Sequence, residues 1–150
     1  MDQSITALGK DGFKGVYAAN DGTAGGAIAA MKGAGIDPST RPTTGQDAEL
    51  AAIQRILAGQ QFMTVYKAIK PEAEQAAQLA VALVKGESAP SGLVNGKTDN
   101  GQKQVDSILL KPVAVTADNV QDTIVKDGFW KVNEICAGEF KAACDKNGIK

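Results

Sequence analysis

The sequence contains no histidine and only two cysteines. Without histidine the chain lacks the commonest general base and the commonest metal ligand, and two cysteines alone cannot complete a structural zinc site. Neither the serine-nucleophile signature G-x-S-x-G nor the zinc-protease signature H-E-x-x-H occurs. We therefore predict that the protein is not an enzyme and that it has no metal and no cofactor.

Excess charge of one sign and long apolar runs are also missing. The formal net charge is -1 and no run of lysine or arginine occurs, so the electrostatic footprint needed for nucleic acid or an anionic membrane is absent. The longest apolar stretches, such as residues 76–84, are far shorter than the roughly 20 residues that span a bilayer. Met1 is followed by polar residues, and no signal peptide is recognisable there. We expect no nucleic-acid partner and no membrane span in this chain.

What remains is the composition of a soluble globular domain. Hydrophobic residues make up 43% and charged residues 22% of the 150 positions. A chain of this length buries one core of ordinary size.

Short extended runs alternate with amphipathic segments in the first part of the chain. The predicted strands are 15–19, which is apolar throughout and so expected to be buried on both faces, 41–45 and 62–66. The predicted helices are 1–9, 24–31, 50–57 and 71–86. Pro71 falls in the first turn of the last helix, where proline is tolerated. The alternation predicts an α/β fold, a parallel sheet flanked by helices.

The second part of the chain is less regular. Residues 87–104 are rich in Gly, Ser, Asn, Asp and Lys, which predicts a long surface loop or crossing segment. A strand is expected at 105–110, with an extension past Pro112 to Val115. Helices are expected at 117–126 and 139–146.

The two cysteines, Cys136 and Cys144, lie close together near the carboxyl terminus. In one continuous helix their α-carbons would be about 12 Å apart, beyond the roughly 7 Å limit for a disulfide. A bridge therefore requires a turn between them, which Gly138 can supply before a short helix at 139–146. The spacing favours a disulfide and an oxidising compartment, and the alternative is two buried free thiols.

Three polar residues stand at the carboxyl ends of the predicted parallel strands: Asn20, Asp47 and Lys67. Ligands of open α/β sheets bind at this edge. Their spacing is that of consecutive strand–helix units, so the three side chains can converge. An amide, a carboxylate and an ammonium group offer the fixed donors and acceptors that a polyhydroxylated ligand requires. We predict that these residues bind such a ligand.

Structural roles are the alternative for each of these residues. Asn20 could serve only as a turn and N-cap residue, and Asp47 could cap a helix beginning at Ala48. Lys67 could be solvated, or paired with Asp47 for structure alone. For Asp21 the capping role is favoured. The single tryptophan, Trp130, is interpreted as a packing residue and not as a platform for a sugar.

Three motifs, V-Y-A-A-N-D-G-T-A-G-G-A at 16–27, T-G-Q-D-A-E at 44–49 and M-T-V-Y-K at 63–67, carry a resemblance to a known family. They closely resemble the sugar-binding components of bacterial ABC transporters. The nearest group is the xylose-binding and related aldose-binding proteins, among the ribose- and galactose-binding periplasmic proteins. The resemblance extends to about Val115 and continues more loosely into the tail.

The resemblance implies a fold of two α/β lobes that enclose a sugar between them, the type I fold of periplasmic binding proteins. Asn20, Asp47 and Lys67 match the sugar-contacting positions of the second lobe. Because members of the family are roughly twice as long, we expect a carboxyl-terminal fragment with about half of the fold. Residues 1–68 would form the second half of the carboxyl-terminal sugar-binding lobe, and residues 69–150 a helix, crossing segment and tail that pack on the amino-terminal lobe and hinge.

The same resemblance implies a monosaccharide ligand, an ABC permease as partner, and an extracytoplasmic location with a signal sequence that is not in this chain. A missing amino-terminal lobe, supplied as another chain, or self-association would cover the apolar surfaces, and the fragment alone would bind sugar weakly or undetectably. The alternative function is the effector-binding lobe of a sugar-responsive transcription regulator, whose cysteines would be reduced. A small Rossmann-like enzyme is a third candidate, which turnover of an aldose would support.

Overall fold

Short strands and helices alternate along residues 1–150, all of which the computed structural model describes. The α-helices are α1 (Asp2–Leu8), α2 (Asp21–Gly33), α3 (Leu50–Leu57), α4 (Ile69–Val84), α5 (Val132–Ile135) and α6 (Lys141–Lys146). The strands are β1 (Thr64–Tyr66), β2 (Gly96–Asp99), β3 (Gln104–Ser107) and β4 (Val113–Val115). Short 3-10 helices occur at Pro38–Thr40, Ala117–Asn119 and Gly138–Phe140, and a π-helical turn at Gln121–Val125. None of the helices has the length and apolarity needed to cross a membrane.

The chain forms two units. The first consists of residues 1–66 and 113–150, and the second of residues 67–112. The carboxyl-terminal segment, 113–150, is therefore part of the same unit as the first 66 residues. The assignment of 69–150 to contacts with another lobe and its hinge stays a prediction.

Extended segments lie side by side in the first unit. Segment 15–19 is joined to segment 42–45 by a parallel bridge between Val16 and Thr43. Segment 42–45 is joined in turn to β1, where the Val65 amide donates to the Gly45 carbonyl at 3.1 Å. On its other side β1 pairs with β4 in antiparallel register. Segments 15–19, 42–45 and β1 therefore run in the same direction side by side, with β4 running in the opposite direction beyond β1. The carboxyl ends of the first three lie along one side of the unit.

Only one of the three predicted strands in this region is regular. The prediction at 62–66 is confirmed by β1, whereas 15–19 and 41–45 form a single bridge. Pro42 contributes to this difference because it has no N–H to donate to a ladder. The expectation that 15–19 is buried on both faces is wrong: Tyr17 is 91% exposed, while its neighbour Ala18 is 9% exposed. Successive side chains of an extended segment point to opposite faces, and only the face of Ala18 is covered in this chain.

The core of the first unit is formed by one face each of α2 and α3, together with residues of the tail. Ile28 and Met31 of α2 and Ile53 and Ile56 of α3 are each no more than 2% exposed. Burial of one such side chain stabilises the fold by about 1.5–3 kcal/mol. Further buried apolar residues are Ala24, Leu57, Val115, Val120, Ile124 and Ile135.

The tail is closed by a disulfide between Cys136 and Cys144, whose α-carbons are 5.8 Å apart. Gly138 lies between them with φ 57°, a left-handed conformation that glycine adopts without strain, and so provides the predicted turn. The expected helix at 139–146 begins as a 3-10 turn and continues as α6. Both the disulfide and the turn that it requires are therefore confirmed.

Side-chain amides attach the tail to α3. The Gln54 amide nitrogen donates to the carbonyls of Glu134 and Ile135, each at 3.2 Å. The Asn147 amide nitrogen donates to the Leu57 carbonyl at 3.1 Å. These bonds satisfy carbonyl groups at the end of α3 and of α5, which a helix leaves without intrahelical partners.

The second unit contains α4 and a β2–β3 hairpin. Pro71 lies in the first turn of α4, as predicted. The expectation that 87–104 is a loop is partly wrong, because β2 pairs with β3 in antiparallel register from Gly96 to Ser107. Residues 100–103 join the two strands; Gly101 has φ 83°, and the Asn100 Oδ1 accepts from the Gln102 and Lys103 amides at 3.0 Å. Ala82 is the one buried residue of α4, whose Leu83 and Val84 are 63% and 89% exposed.

Candidate functional site

Asn20 follows the extended segment 15–19 and is the N-cap of α2. Its Oδ1 accepts a hydrogen bond from the Thr23 backbone N–H at 2.9 Å. The backbone N–H of Asn20 in turn donates to the Thr23 Oγ1 at 3.3 Å. The Thr23 hydroxyl also donates to the same Oδ1. The capping interpretation of Asn20 is confirmed. Because capping occupies the side-chain oxygen, the exposed NH₂ group is the end of the amide that can contact a ligand.

Asp47 lies in an unusual turn directly after the second extended segment. Asp47 has φ 98° and Ala48 has φ 51°, so two consecutive residues other than glycine adopt left-handed conformations. Such a residue costs about 1–3 kcal/mol, and residues of this kind cluster at binding sites. Helix α3 begins at Leu50 with Glu49 as its N-cap. The alternative role of Asp47 as the cap of a helix beginning at Ala48 is therefore wrong.

Backbone hydrogen bonds bring Asn20 and Asp47 together. The peptide that joins Asn20 to Asp21 donates its N–H to the carbonyl of Gln46, the residue before Asp47, at 2.9 Å. The Asp47 amide donates to the Val65 carbonyl in β1, also at 2.9 Å. Two of the three predicted site residues thus lie at one edge of the first unit. The third, Lys67, is exposed and is the residue that follows β1 in the chain, where the second unit begins.

The turn that carries Asp47 is attached to a buried carboxylate that sequence reasoning assigned to helix capping. Asp21 is 0% exposed and belongs to the first turn of α2. Its Oδ2 accepts from the Thr64 hydroxyl at 2.8 Å and from the Glu49 amide at 3.0 Å. Its Oδ1 accepts from the Gln61 amide nitrogen at 2.8 Å. The capping role expected for Asp21 is wrong, since Asn20 is the cap and the Asp21 side chain faces inward.

A guanidinium group lies next to this carboxylate. The Arg55 Nη2 donates to the Asp21 carbonyl and its Nε to the Gln61 Oε1, both at 3.0 Å. Partial burial lowers the pKa of Arg55, and the negative charges of Asp21 and Glu49 oppose that shift. Arginine titrates so far above neutral pH that it keeps its charge. We refer to Asp21, Arg55, Gln61 and Thr64 as the Asp21 network.

An aromatic cluster supports the same turn from the tail. The Trp130 Nε1 donates to the Ala48 carbonyl at 2.8 Å. Trp130 meets Phe129 edge to face with ring centroids 5.5 Å apart, and Phe129 meets Tyr66 in the same way at 5.0 Å. Burial raises the pKa of Tyr66, and the nearby charge of Asp127 raises it further. These contacts agree with the interpretation of Trp130 as a packing residue.

Comparison with known proteins places these features in a family context. The sequence profile of a family described as "periplasmic binding protein domain" matches residues 1–88. The D-xylose-binding periplasmic protein of Haemophilus influenzae is 45% identical over 129 residues, covering 86% of this chain and 37% of that protein. The D-xylose-binding periplasmic protein of Escherichia coli strain K12 is 43% identical over 135 residues, covering 90% of this chain and 39% of that protein.

Solved structures agree with the sequence relatives. A carbohydrate transporter solute binding protein from Chloroflexus aurantiacus, in complex with D-glucose, superimposes with a TM-score of 0.74 at 33% identity, covering 89% of this chain and 38% of that one. An ABC transporter solute binding protein from Clostridium phytofermentans with bound β-D-glucose gives 0.71 at 28% identity, covering 89% and 41%. The predicted incomplete α/β lobe and the resemblance to sugar-binding proteins of ABC transporters are confirmed. This chain spans 37% and 39% of the length of the two D-xylose-binding relatives.

Proposed function

The chain belongs to the periplasmic binding protein domain family, and from this premise we propose that it supplies one side of a sugar site. The complete protein is the solute receptor of an ABC sugar importer, and it binds a monosaccharide without transforming it. The observation that supports this proposal most directly is the turn at Asp47. Its strained backbone is fixed by hydrogen bonds next to Asn20, as a site prepared for a ligand requires.

In this proposal each side chain has a distinct part in sugar recognition. The Asp47 carboxylate accepts hydrogen bonds from sugar hydroxyls, and the exposed NH₂ of Asn20 donates one. Lys67, which follows β1, donates from its ammonium group. Hydrogen bonds to ionised groups are the strong ones, so a sugar without the matching hydroxyl loses a strong contact. Asp47 and Lys67 therefore determine most of the specificity.

The choice of ligand rests on the named relatives. Two of them are D-xylose-binding periplasmic proteins, and two solved relatives hold glucose. An aldose such as D-xylose is therefore the proposed ligand. The disulfide between Cys136 and Cys144 supports an extracytoplasmic location, because such bonds persist in oxidising compartments.

The proposed partners are an amino-terminal lobe and an ABC permease. The chain spans less than two fifths of the D-xylose-binding relatives, 37% and 39%. Helix α4 exposes Ile69, Val81, Leu83 and Val84, all more than half accessible. Clustered exposed apolar side chains are typical of a surface that another chain covers. We expect the other lobe, or a second copy in its absence, to cover this helix.

Removal of one charge tests the proposed site. In the receptor with both lobes present, Asp47→Asn should weaken D-xylose binding at least about tenfold, because a buried hydroxyl contact loses its ionised acceptor. Asparagine tolerates the left-handed conformation of this position, so the turn is retained. Asp2→Asn makes the same change of charge on exposed α1 and should leave the affinity unchanged. Titration calorimetry measures both, and equal affinity of Asp47→Asn and the parent would contradict the assignment.

A further inference from the structure

We propose that Asp21 is a positioning residue for sugar binding, whose buried carboxylate holds the Asp47 turn, residues 46–49, in the conformation that presents Asp47 to the ligand. The inference rests on the proposed function for its ligand, and on the geometry of the first unit for its mechanism. Asp21 is fully buried and so does not contact sugar itself.

Asp21 is attached to both ends of the turn. Its backbone N–H donates to the Gln46 carbonyl at 2.9 Å, before the two left-handed residues. Its Oδ2 accepts from the Glu49 amide at 3.0 Å, after them. Between these points the Ala48 amide donates to the Thr64 Oγ1 at 3.2 Å, and the Thr64 hydroxyl donates to Asp21. One residue thus fixes, directly or through Thr64, the backbone on each side of Asp47.

The direction of the hydrogen bonds requires a carboxylate at position 21. Arg55 donates to the Gln61 Oε1, which turns the Gln61 NH₂ group toward Asp21. The Glu49 amide donates to Oδ2, and the Thr64 hydroxyl, which accepts from the Ala48 amide, donates its own hydrogen to the same oxygen. Three donors therefore converge on the two oxygens, which an ionised carboxylate accepts and an amide does not. Asparagine would turn an N–H group toward at least one of these donors.

The strain of the turn explains why it needs this attachment. Asp47 and Ala48 hold left-handed conformations that the chain leaves when the surrounding contacts are weakened. Gly45, immediately before the turn, is part of the same arrangement. A Cβ at this position would lie 2.0 Å from the Asp21 Oδ1, so the absence of a side chain admits the carboxylate.

Two substitutions and one matched control separate positioning from general stability. Asp21→Asn turns an N–H group toward a donor and so removes at least one hydrogen bond of the network, and Thr64→Val removes the hydroxyl while keeping the volume. Thr64→Ser keeps a hydroxyl that donates and accepts, and should rescue the network. Ile56→Val removes one methyl group from the buried face of α3, at a residue outside both the turn and the Asp21 network. Amide hydrogen exchange at Asp47 and Ala48 is followed by NMR in this chain, and D-xylose affinity by calorimetry in the receptor with both lobes.

We expect Asp21→Asn and Thr64→Val to speed exchange at Asp47 and Ala48 by about tenfold or more relative to other amides of the first unit, the effect of losing one or two buried hydrogen bonds. Both should weaken D-xylose binding by a similar factor, while Thr64→Ser and Ile56→Val should leave relative exchange and affinity close to those of the parent.

Two results would overturn the proposal, and they are distinguishable from failure of the proposed function. Unchanged relative exchange at Asp47 and Ala48 in Asp21→Asn would show that the carboxylate does not hold the turn. Faster exchange with unchanged D-xylose affinity, in a receptor where Asp47→Asn does weaken binding, would show that the position of the turn does not matter for the sugar. Unchanged affinity in Asp47→Asn would instead refute the sugar site itself, and with it the role of Asp21 in binding.

Discussion

At Gly45, in the candidate site, a side chain would clash with the Asp21 network. A Cβ at this position would meet the Asp21 Oδ1 at 2.0 Å and the Gln61 Nε2 at 2.6 Å. We expect Gly45→Ala to lower the free energy of unfolding by about 2 kcal/mol or more, because buried polar groups are displaced from their partners. Gly26→Ala is the matched control: in α2 its Cβ would meet nothing within 4 Å, and it should raise stability by about 0.5–1 kcal/mol.

Urea unfolding monitored by circular dichroism compares the two variants. A Gly45→Ala chain as stable as the parent would show that the Asp21 network yields to a methyl group. Loss of stability in Gly26→Ala would instead show that this face of α2 is closer to other atoms than the structure has it.

Sequence reasoning singled out Asn20 and Asp47 as candidate site residues but did not predict the Asp21 network. Strand ends are recognisable from short apolar runs, and polar residues that follow them are candidate ligand contacts. Asp21 was missed because a carboxylate beside an N-cap resembles ordinary capping, and its partners Gln61 and Thr64 lie 40 and 43 positions away. A signal was present: these two polar residues flank the start of an otherwise apolar strand, where polar side chains need buried partners.

The disulfide joins the end of α5 to α6. It closes a short loop that contains the Gly138 turn and the start of α6, and Cys144 is buried at 1% exposure. Reduction should lower the free energy of unfolding by about 2–3 kcal/mol, as expected for a loop of this length.

Thermal unfolding with and without dithiothreitol measures this effect. Counting the free thiols of the native protein should give none. Two titratable thiols in the native state would contradict the disulfide and favour the transcription-regulator alternative. The double variant Cys136→Ser/Cys144→Ser controls for other effects of the reductant.

Helices and strands were predictable where their patterns are strong. The 71–86 prediction matches most of α4 because proline marks its first turn and apolar residues repeat at helical spacing. The β2–β3 hairpin was missed because its strands are polar and exposed, although Asn100-Gly101 is a hairpin signal. Residues 117–126 form 3-10 and π-helical turns in place of the expected regular helix. The change from i→i+4 hydrogen bonds to the i→i+3 and i→i+5 bonds of these turns is not visible in the spacing of the apolar residues.

Exposed apolar side chains on α4 predict that the chain associates with itself. Leu83 and Val84 are 63% and 89% exposed, far more than such residues usually are in a monomer. The isolated chain should therefore sediment above its 15.5 kDa monomer mass at micromolar concentration. Leu83→Glu should shift it toward the monomer.

Analytical ultracentrifugation over a concentration series checks this prediction, with Gln78→Glu as a control of equal charge change at an exposed position of the same helix. A parent chain that stays monomeric at every concentration would contradict the association. An unchanged mass for Leu83→Glu would show that the contact lies elsewhere.

The fold of the family was predictable from three motifs, although the chain spans only 37% and 39% of the length of the D-xylose-binding relatives. The motif that contains Asn20 and the motif that contains Asp47 lie within the region that the family profile matches, residues 1–88. Their order and spacing were recognisable because each motif follows an extended segment of the chain.

We propose that Asn20, Asp47 and Lys67 contact a bound aldose. A crystal structure of the receptor with both lobes and D-xylose tests it most directly. We expect sugar hydroxyl oxygens about 2.7–3.2 Å from the Asp47 carboxylate, the Asn20 side-chain nitrogen and the Lys67 ammonium group. D-xylose bound with none of these three side chains within hydrogen-bond distance would contradict it.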